Sequence, residues 1–140
     1  MSVADAGIPV GEIDRLFRKH RVRVMLAITL GYGFIYTCRL GLSIVKKPLI
    51  DNGIFTVEEL GLIGAALLYG YAFGKFFNGF LSDHFRPRVF FTAAIFISAV
   101  INLFMGFSTL VWLSVVLWVL NGWFQGMAAP SAVFSITNWF

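Results

Sequence analysis

Two basic residues, Arg39 and Lys75, lie inside long apolar runs of this chain, and no aspartate or glutamate lies inside any of those runs. A charged side chain at membrane depth costs between about 2.5 and well over 10 kcal/mol, so such groups are usually paired or placed on the path of a ligand or ion. Because the runs contain no carboxylate to pair with these two cations, the sequence predicts that Arg39 and Lys75 bind an anionic substrate.

Arg39 shares one face of its predicted helix with two tyrosines, since Tyr32, Tyr36 and Arg39 are spaced i, i+4 and i+7. A guanidinium is a planar fork that can bind a phosphate or carboxylate with two parallel hydrogen bonds. Arg39 lies about 24 Å along the helix axis from Arg23. Its side chain is therefore too deep to reach the membrane interface at the Arg23 end of the helix easily. Alternatively, Arg39 extends toward the other end of its helix or pairs with a carboxylate in another part of the protein.

The second run carries a similar stripe of Tyr71, Lys75 and Asn78. Lys75 lies only about 12 Å along the axis from Asp83. The lysine side chain could therefore extend to the interface or contact Asp83, as an alternative to binding an anion.

Small and polar residues in the second and fourth runs indicate contacts between helices. Gly70-x-x-x-Gly74 and Gly122-x-x-x-Gly126 are patterns that allow close helix packing. Asn121 and Gln125 lie one turn apart, and they either hydrogen-bond to a neighbouring helix or face a cavity.

Four apolar runs position these residues, and each is long enough for the roughly 20 residues that a membrane-spanning helix needs. The composition agrees, with 59% hydrophobic, 17% aromatic and 13% charged residues. We therefore predict an all-α, polytopic membrane protein with four transmembrane helices. After a tail over residues 1–23, the runs cover Val24–Val45, Glu59–Leu81, Val89–Phe107 and Leu110 to about Asn138.

The connections contain residues typical of helix ends. Lys46-Lys47-Pro48 predicts the end of the first helix, and Thr56 predicts an N-cap ahead of an acidic first turn in the second. Pro130 lies inside the fourth run and predicts a kink or a local loosening there.

The distribution of basic residues predicts the orientation, because cytoplasmic loops are enriched in Lys and Arg. Both ends of the segment are expected on the cytoplasmic side of the cell (plasma or inner) membrane. This distribution also accounts for the basic pI, so no nucleic acid partner is expected. The tail and the second connection hold Arg15, Arg18, Lys19, Arg21, Arg23, Arg86 and Arg88, whereas the opposite side holds only Lys46 and Lys47.

Other chemistries find little support in the sequence. Cys38 is the only cysteine, which excludes disulfides within the chain and cysteine-ligated metal sites. We see no metal-ligand spacing, no Ser/His/Asp arrangement and no phosphate-binding loop. The chain is therefore predicted not to be an enzyme and to need neither a metal nor a cofactor.

Two motifs carry a resemblance to a known family. The connection Gly79-Phe-Leu-Ser-Asp83-His-Phe-Arg86-Pro-Arg88 resembles the loop between helices two and three of major facilitator transporters, with His84 in place of the usual basic residue. Gly122-Trp-Phe-Gln-Gly126-Met is similar to the fourth helix of the organophosphate:phosphate antiporters, which include glycerol-3-phosphate and hexose-phosphate transporters and their sensor relatives. The tyrosine stripe ending at Arg39 and the segment Tyr71-Ala-Phe-Gly-Lys75 also resemble this family.

The resemblance implies transport of a phosphorylated organic anion, such as a sugar phosphate or glycerol-3-phosphate, in exchange for inorganic phosphate by alternating access. It implies that Arg39 holds the phosphate and that Lys75 lies beside the path. The candidate substrate-binding residues are Arg39, Lys75, Tyr32, Tyr36, Tyr71 and Gln125, and the candidate gating-loop residues are Asp83, Arg86 and Arg88.

Such transporters have two six-helix halves, each built from inverted three-helix repeats. This chain holds one repeat and one further helix, so we expect an amino-terminal part that does not transport without the missing carboxy-terminal helices. Two alternatives remain open: a sugar-phosphate sensor of the same family, and a four-helix protein that works as an oligomeric anion channel.

Overall fold

The computed structural model describes residues 10–82 and 84–139, and these form five helical segments. Among them, four helical stretches are long and apolar enough to cross a membrane, the last one made of α4 and α5 together. The prediction of an all-α protein with four spanning helices is therefore confirmed. The segments are α1 (Val10–Asp51), α2 (Val57–Ser82), α3 (Pro87–Met105), α4 (Val111–Gln125) and α5 (Ala128–Trp139).

Helix α1 is much longer than its apolar run. Its 42 residues correspond to about 63 Å, twice the roughly 30 Å hydrocarbon core of a bilayer. Residues 10–23 of the predicted tail are therefore helical and continue directly into the first span. The basic residues of this region are carried on a helix that projects beyond the apolar run.

The prediction that Lys46-Lys47-Pro48 ends α1 is wrong, because the helix runs through Pro48 to Asp51. The termination signal is Gly53, which has a φ of 66°. Its N–H donates to the carbonyl of Ile50, at 2.9 Å, and the N–H of Ile54 donates to that of Leu49, at 3.0 Å. This pair of bonds is a Schellman motif, which satisfies the last carbonyls of a helix.

The start of α2 confirms the predicted N-cap. The N–H of Glu59 donates to Thr56 Oγ1 at 3.2 Å, and the N–H of Thr56 donates to Glu59 Oε2 at 2.8 Å. These reciprocal bonds form a capping box. The turn between α1 and α2 is thus closed at both ends by local hydrogen bonds.

The fourth span breaks at Gly126 and Met127, between α4 and α5, as the proline predicts. Pro130 has no N–H to donate to the carbonyl four residues earlier, and its ring clashes with that carbonyl. The residue concerned is Gly126. The proline itself lies in the first turn of α5, where helices tolerate it.

Helix α2 packs most extensively on α4, and α3 packs on α4 and α5. Helix α1 packs on α3 and α5. One buried cluster joins Leu42 and Phe55 to the start of α2 and to Trp118 of α4. A second joins Ile35 to the start of α3 and to the α4–α5 break. Most large apolar side chains elsewhere are exposed, as a lipid-facing surface requires.

Candidate functional site

Arg39 and Lys75, the two basic residues inside the apolar runs, both lie close to the aromatic ring of Tyr71. The guanidinium carbon of Arg39 lies 4.8 Å from the centroid of the Tyr71 ring, and the Nζ of Lys75 lies 6.0 Å from the same centroid. Both distances are within the range of cation–π attraction. Because Arg39 is on α1 and Tyr71 and Lys75 are on α2, the cluster joins the first two spans. We call Arg39, Tyr71 and Lys75 the cation cluster.

Neither cation of this cluster has a carboxylate partner in the part of the chain that the structure describes. Arg39 and Tyr71 are half-buried and Lys75 is exposed. A cation–π contact contributes about 0.5–2 kcal/mol, which is less than the cost of placing a charge at membrane depth. The cation–π contacts therefore do not offset the cost of the two charges, and an anion bound nearby would stabilise them.

The two tyrosines of α1 have separate environments. Tyr32 is half-buried and packs on Phe91 of α3, with ring centroids 6.0 Å apart. Tyr36 is 53% exposed. Among the described residues, no hydrogen bond joins either hydroxyl to Arg39, so both remain available to an incoming ligand.

Lys75 also borders a cavity of about 460 Å³ between α2 and α5. The lining includes Ser82 near the end of α2 and Pro130, Phe134 and Thr137 of α5. This volume lies within the range of about 300–1,000 Å³ that is common for small-molecule sites. The cavity extends from Lys75 toward Ser82 at the end of α2, where the connection that holds the candidate gating-loop residues begins.

Close packing of α2 on α4 fixes the backbone that carries Lys75. A Cβ on Gly74 would lie 2.5 Å from the Trp123 carbonyl oxygen, and one on Gly126 would lie 2.7 Å from the backbone nitrogen of Lys75. Gly70 and Gly122 are packed against backbone in the same way. The interpretation of both glycine patterns as close-packing sites is confirmed.

Asn78 does not continue the Tyr71–Lys75 stripe as a cavity residue. It is 2% exposed, and its Nδ2 donates to the Trp123 carbonyl at 3.0 Å. A neighbouring ring pair strengthens this contact, since Phe77 stacks on Trp123 with centroids 5.6 Å apart. Asn78 is therefore a tie between α2 and α4.

Gln125 lies in a buried polar network between α3 and α4. Its Nε2 donates to Ser98 Oγ and to Asn121 Oδ1, each at 3.2 Å, and Ser98 Oγ donates to Asn121 Oδ1. All three side chains are at most 1% exposed. Of the two readings of Asn121 and Gln125, the structure shows the hydrogen bonds to a neighbouring helix, and it places Gln125 away from any described contact with the cation cluster.

The network leaves two polar atoms without a partner, Asn121 Nδ2 and Gln125 Oε1. Sequence reasoning missed the third member, Ser98, although Ser98 and Asn102 stand one turn apart in an otherwise apolar run. That spacing was the available signal.

The gating-loop candidates are only partly visible. Asp83 lies outside the described residues. Arg86 is exposed and occupies the N-cap of α3, where its carbonyl accepts hydrogen bonds from Val89 and Phe90. Arg88 is exposed in the first turn of α3. Within residues 10–82 and 84–139, no group of three His, Cys, Asp or Glu side chains is arranged to hold a metal ion.

Four helical stretches long and apolar enough to cross a membrane, two of them carrying a basic side chain within the apolar run, define a polytopic membrane protein. The sequence matches the profile of the Major Facilitator Superfamily over residues 22–140. The chain belongs to this superfamily of membrane transporters, which confirms both the resemblance and the prediction that it is not an enzyme.

Individual relatives align with nearly the whole chain. The chain is 33% identical over 129 residues to the "Membrane sensor protein UhpC" of Escherichia coli strain K12, covering 92% of this chain and 29% of the relative. It is 33% identical over 128 residues to the "Probable hexose phosphate transport protein" of Chlamydia trachomatis, covering 91% of the chain and 28% of the relative.

A third relative is the "Glycerol-3-phosphate transporter" of Bacillus subtilis, 32% identical over 135 residues, covering 92% of this chain and 30% of the relative. The chain thus spans less than a third of the length of each of these proteins. No solved structure matches the chain significantly.

Proposed function

We propose that this chain supplies the first-half anion site of a membrane transporter that exchanges a phosphorylated organic anion for inorganic phosphate by alternating access. The observation that carries this proposal is the placement of Arg39 and Lys75 close to the same ring, that of Tyr71, without a carboxylate partner among the described residues. The names of the relatives support the substrate class, since they include hexose phosphate and glycerol-3-phosphate transporters.

A phosphate group fits the chemistry of the cation cluster. The Arg39 fork offers two parallel N–H donors, and the Lys75 ammonium adds a second charge without a fixed direction. The hydroxyls of Tyr32 and Tyr36 can donate to the same oxygens. A dianion would therefore find two positive charges and several donors, all carried by the first two spans.

We infer that the remainder of the site comes from helices beyond this chain. Superfamily members of this kind bind substrate at the midplane between repeats and alternate access by rocking one part against another. Because the chain spans under a third of its relatives, a further cation and the opposing gate would lie on carboxy-terminal helices. The orientation that accompanies this proposal has both ends of the segment on the cytoplasmic side of the cell membrane.

The first prediction tests Arg39 in proteoliposomes made with the complete product of the gene and preloaded with phosphate. Arg39→Lys keeps the charge but loses the fork, so we expect phosphate exchange to fall by at least about tenfold. Arg39→Ala should abolish exchange. Uptake of labelled phosphate, glycerol-3-phosphate and hexose phosphate measures the effect, and Arg15→Lys, on the exposed outer part of the same helix, is the matched control.

Wild-type exchange in a well-folded Arg39→Ala protein would refute the anion site. Uptake that needs no phosphate inside the vesicles would instead indicate an anion channel, as in the four-helix oligomer considered above.

A sensor is the second candidate function, because one relative is named a membrane sensor protein. Sensing and transport require the same anion site. A protein that binds hexose phosphate through Arg39 and yet exchanges none would be a sensor.

A further inference from the structure

A second cavity lies between α1, α3 and α5, where the apolar run of α1 begins. It has a volume of about 480 Å³. Its polar lining includes Arg23 of α1, Arg88 and Thr92 of α3, and Ser131 and Ser135 of α5. We call it the basic cavity. It is separate from the cation cluster, because Arg23 and Arg39 are about 24 Å apart along α1.

The two arginines of the basic cavity lie at the level of the lipid headgroups. Helix α3 has 19 residues and a length of about 28 Å, which closely matches the roughly 30 Å hydrocarbon core. Its ends therefore mark the two faces of the core. Arg88 stands in the first turn of α3, and Arg23 immediately precedes the apolar run of α1.

The basic cavity is lined by two guanidinium groups at this end. Neither Arg23 nor Arg88 forms an ion pair within the described residues, and both are exposed. The first turn of α3 contains no acidic residue, so the positive end of its helix dipole is not met by a carboxylate of its own. Two guanidinium groups and a helix N-terminus thus converge on one opening.

The lining becomes apolar toward the membrane interior. Val24, Ala27 and Ile28 of α1 follow Arg23 inward, and Phe91 of α3 follows Arg88. His20 and Thr92 add further polar groups to the lining, whereas the hydroxyls of Ser131 and Ser135 already donate to the carbonyls of Met127 and Ser131. The cavity therefore offers cations for a phosphate at one end and an apolar wall beneath them.

We propose that the basic cavity binds an anionic phospholipid from the surrounding leaflet. Arg23 and Arg88 hold the headgroup phosphate, and the start of the acyl chains lies on the apolar wall. Basic pockets between transmembrane helices recognise anionic headgroups in this way. A free phosphate would use the arginines alone, whereas the graded lining matches a molecule that is charged at one end and apolar at the other.

In the experiment, the purified complete gene product is titrated with phosphatidylglycerol, and bound lipids are counted by native mass spectrometry. Wild-type protein should bind phosphatidylglycerol in preference to phosphatidylcholine. Arg23→Ala and Arg88→Ala should each weaken binding by about tenfold or more, as expected for a lost charge-assisted contact. Arg18→Ala removes a charge from the exposed part of α1 outside the cavity and serves as the matched control.

A second variant tests the apolar wall. Ala27 lines the cavity and is exposed, so Ala27→Phe should fold while filling the space below the arginines. We expect it to lose phosphatidylglycerol at least tenfold. Binding of inorganic phosphate and glycerophosphate at the cation cluster should be the same in the wild type, Arg23→Ala and Ala27→Phe, and circular dichroism checks that each is folded.

Three results would overturn the proposal. Equal losses in Arg18→Ala and Arg23→Ala would show general attraction of anionic lipid to a basic helix. Unchanged lipid binding in Ala27→Phe would remove the apolar contact. Loss of glycerophosphate binding in Arg23→Ala would identify the basic cavity as a site for soluble phosphate instead of a lipid.

Discussion

Tyr71 is the residue that both cations of the cation cluster contact. Its ring faces Arg39 from the first span and Lys75 from its own helix. An aromatic ring attracts each cation without neutralising it, so the two positive charges are held near each other and remain able to bind an anion. The distance from Lys75 to the ring is the longer one, and the exposed lysine can move toward a ligand.

The second prediction therefore concerns Lys75. Lys75→Ala should weaken phosphate binding by about 10- to 150-fold, the range for a lost charge-assisted hydrogen bond, and Lys75→Arg should lose less. Binding of labelled phosphate to the purified complete gene product measures this, with the exposed Lys47→Ala as control. If Lys75→Ala binds like the wild type, the lysine serves only to reach the interface.

The third prediction separates the two roles considered for Gln125. A double-mutant cycle between Ser98→Ala and Gln125→Leu should show a coupling of about 0.6 kcal/mol, and at most about 1.7, in the free energy of unfolding. Unfolding in mixed micelles followed by circular dichroism provides these energies. A structural glutamine leaves phosphate affinity unchanged in the folded variant. Loss of phosphate binding in Gln125→Leu, with no loss in Ser98→Ala, would assign Gln125 to the substrate.

At the scale of elements, the contact of α2 with α4 sets the position of the cation cluster. Four glycines allow the two backbones to touch, and Asn78 adds a hydrogen bond across the contact. Lipid tails are as apolar as leucine, so helix association in membranes depends on this kind of close fit. A side chain inserted at the contact would push α2, and Lys75 with it, away from α4.

The fourth prediction compares two glycines of α2. Gly74→Ala would place a Cβ 2.5 Å from the Trp123 carbonyl oxygen, and we expect it to lower the free energy of unfolding by about 1–3 kcal/mol, as overpacking does. Gly64→Ala meets no atom within 4 Å and should be neutral or slightly stabilising. Unfolding in mixed micelles distinguishes them. Equal stability of the two variants would mean that α2 and α4 are not in backbone contact.

At the scale of the whole molecule, α1 extends far beyond one leaflet, because its 42 residues measure about 63 Å. The projecting part, residues 10–23, carries five of the 11 Lys and Arg residues of the chain. Cytoplasmic loops and flanks hold such residues preferentially. The same helix therefore carries a basic surface outside the apolar run, part of the basic cavity and Arg39 of the cation cluster.

The fifth prediction is the topology that follows. In a Cys38→Ser background, single cysteines at Glu12 and Asn52, both exposed, should react with a membrane-impermeant thiol reagent from opposite faces. Asn52 should be labelled in intact cells and Glu12 only in inverted vesicles. Labelling of both from one face would refute an odd number of spans between them.

Sequence alone determined the elements that depend on local chemistry. Run length and composition determine the four spans, because only a helix satisfies its own backbone in a bilayer. The Thr56–Glu59 capping box and the break caused by Pro130 were equally predictable, since each involves residues within four positions of one another. The end of α1 was predicted too early, at Lys46-Lys47-Pro48, whereas the helix continues to Asp51 and ends at the turn residue Gly53.

Tertiary structure decided which side chains meet. Helical spacing placed Tyr32, Tyr36 and Arg39 on one stripe, and Tyr71, Lys75 and Asn78 on another. Only the packing of helices showed that Arg39 contacts Tyr71, while Tyr32 packs on Phe91 and Asn78 is buried against α4. The partner of Gln125, Ser98, lies 27 residues away along the chain. Contacts between helices depend on their relative rotation and separation, which backbone-close glycines determine and a one-dimensional periodicity does not.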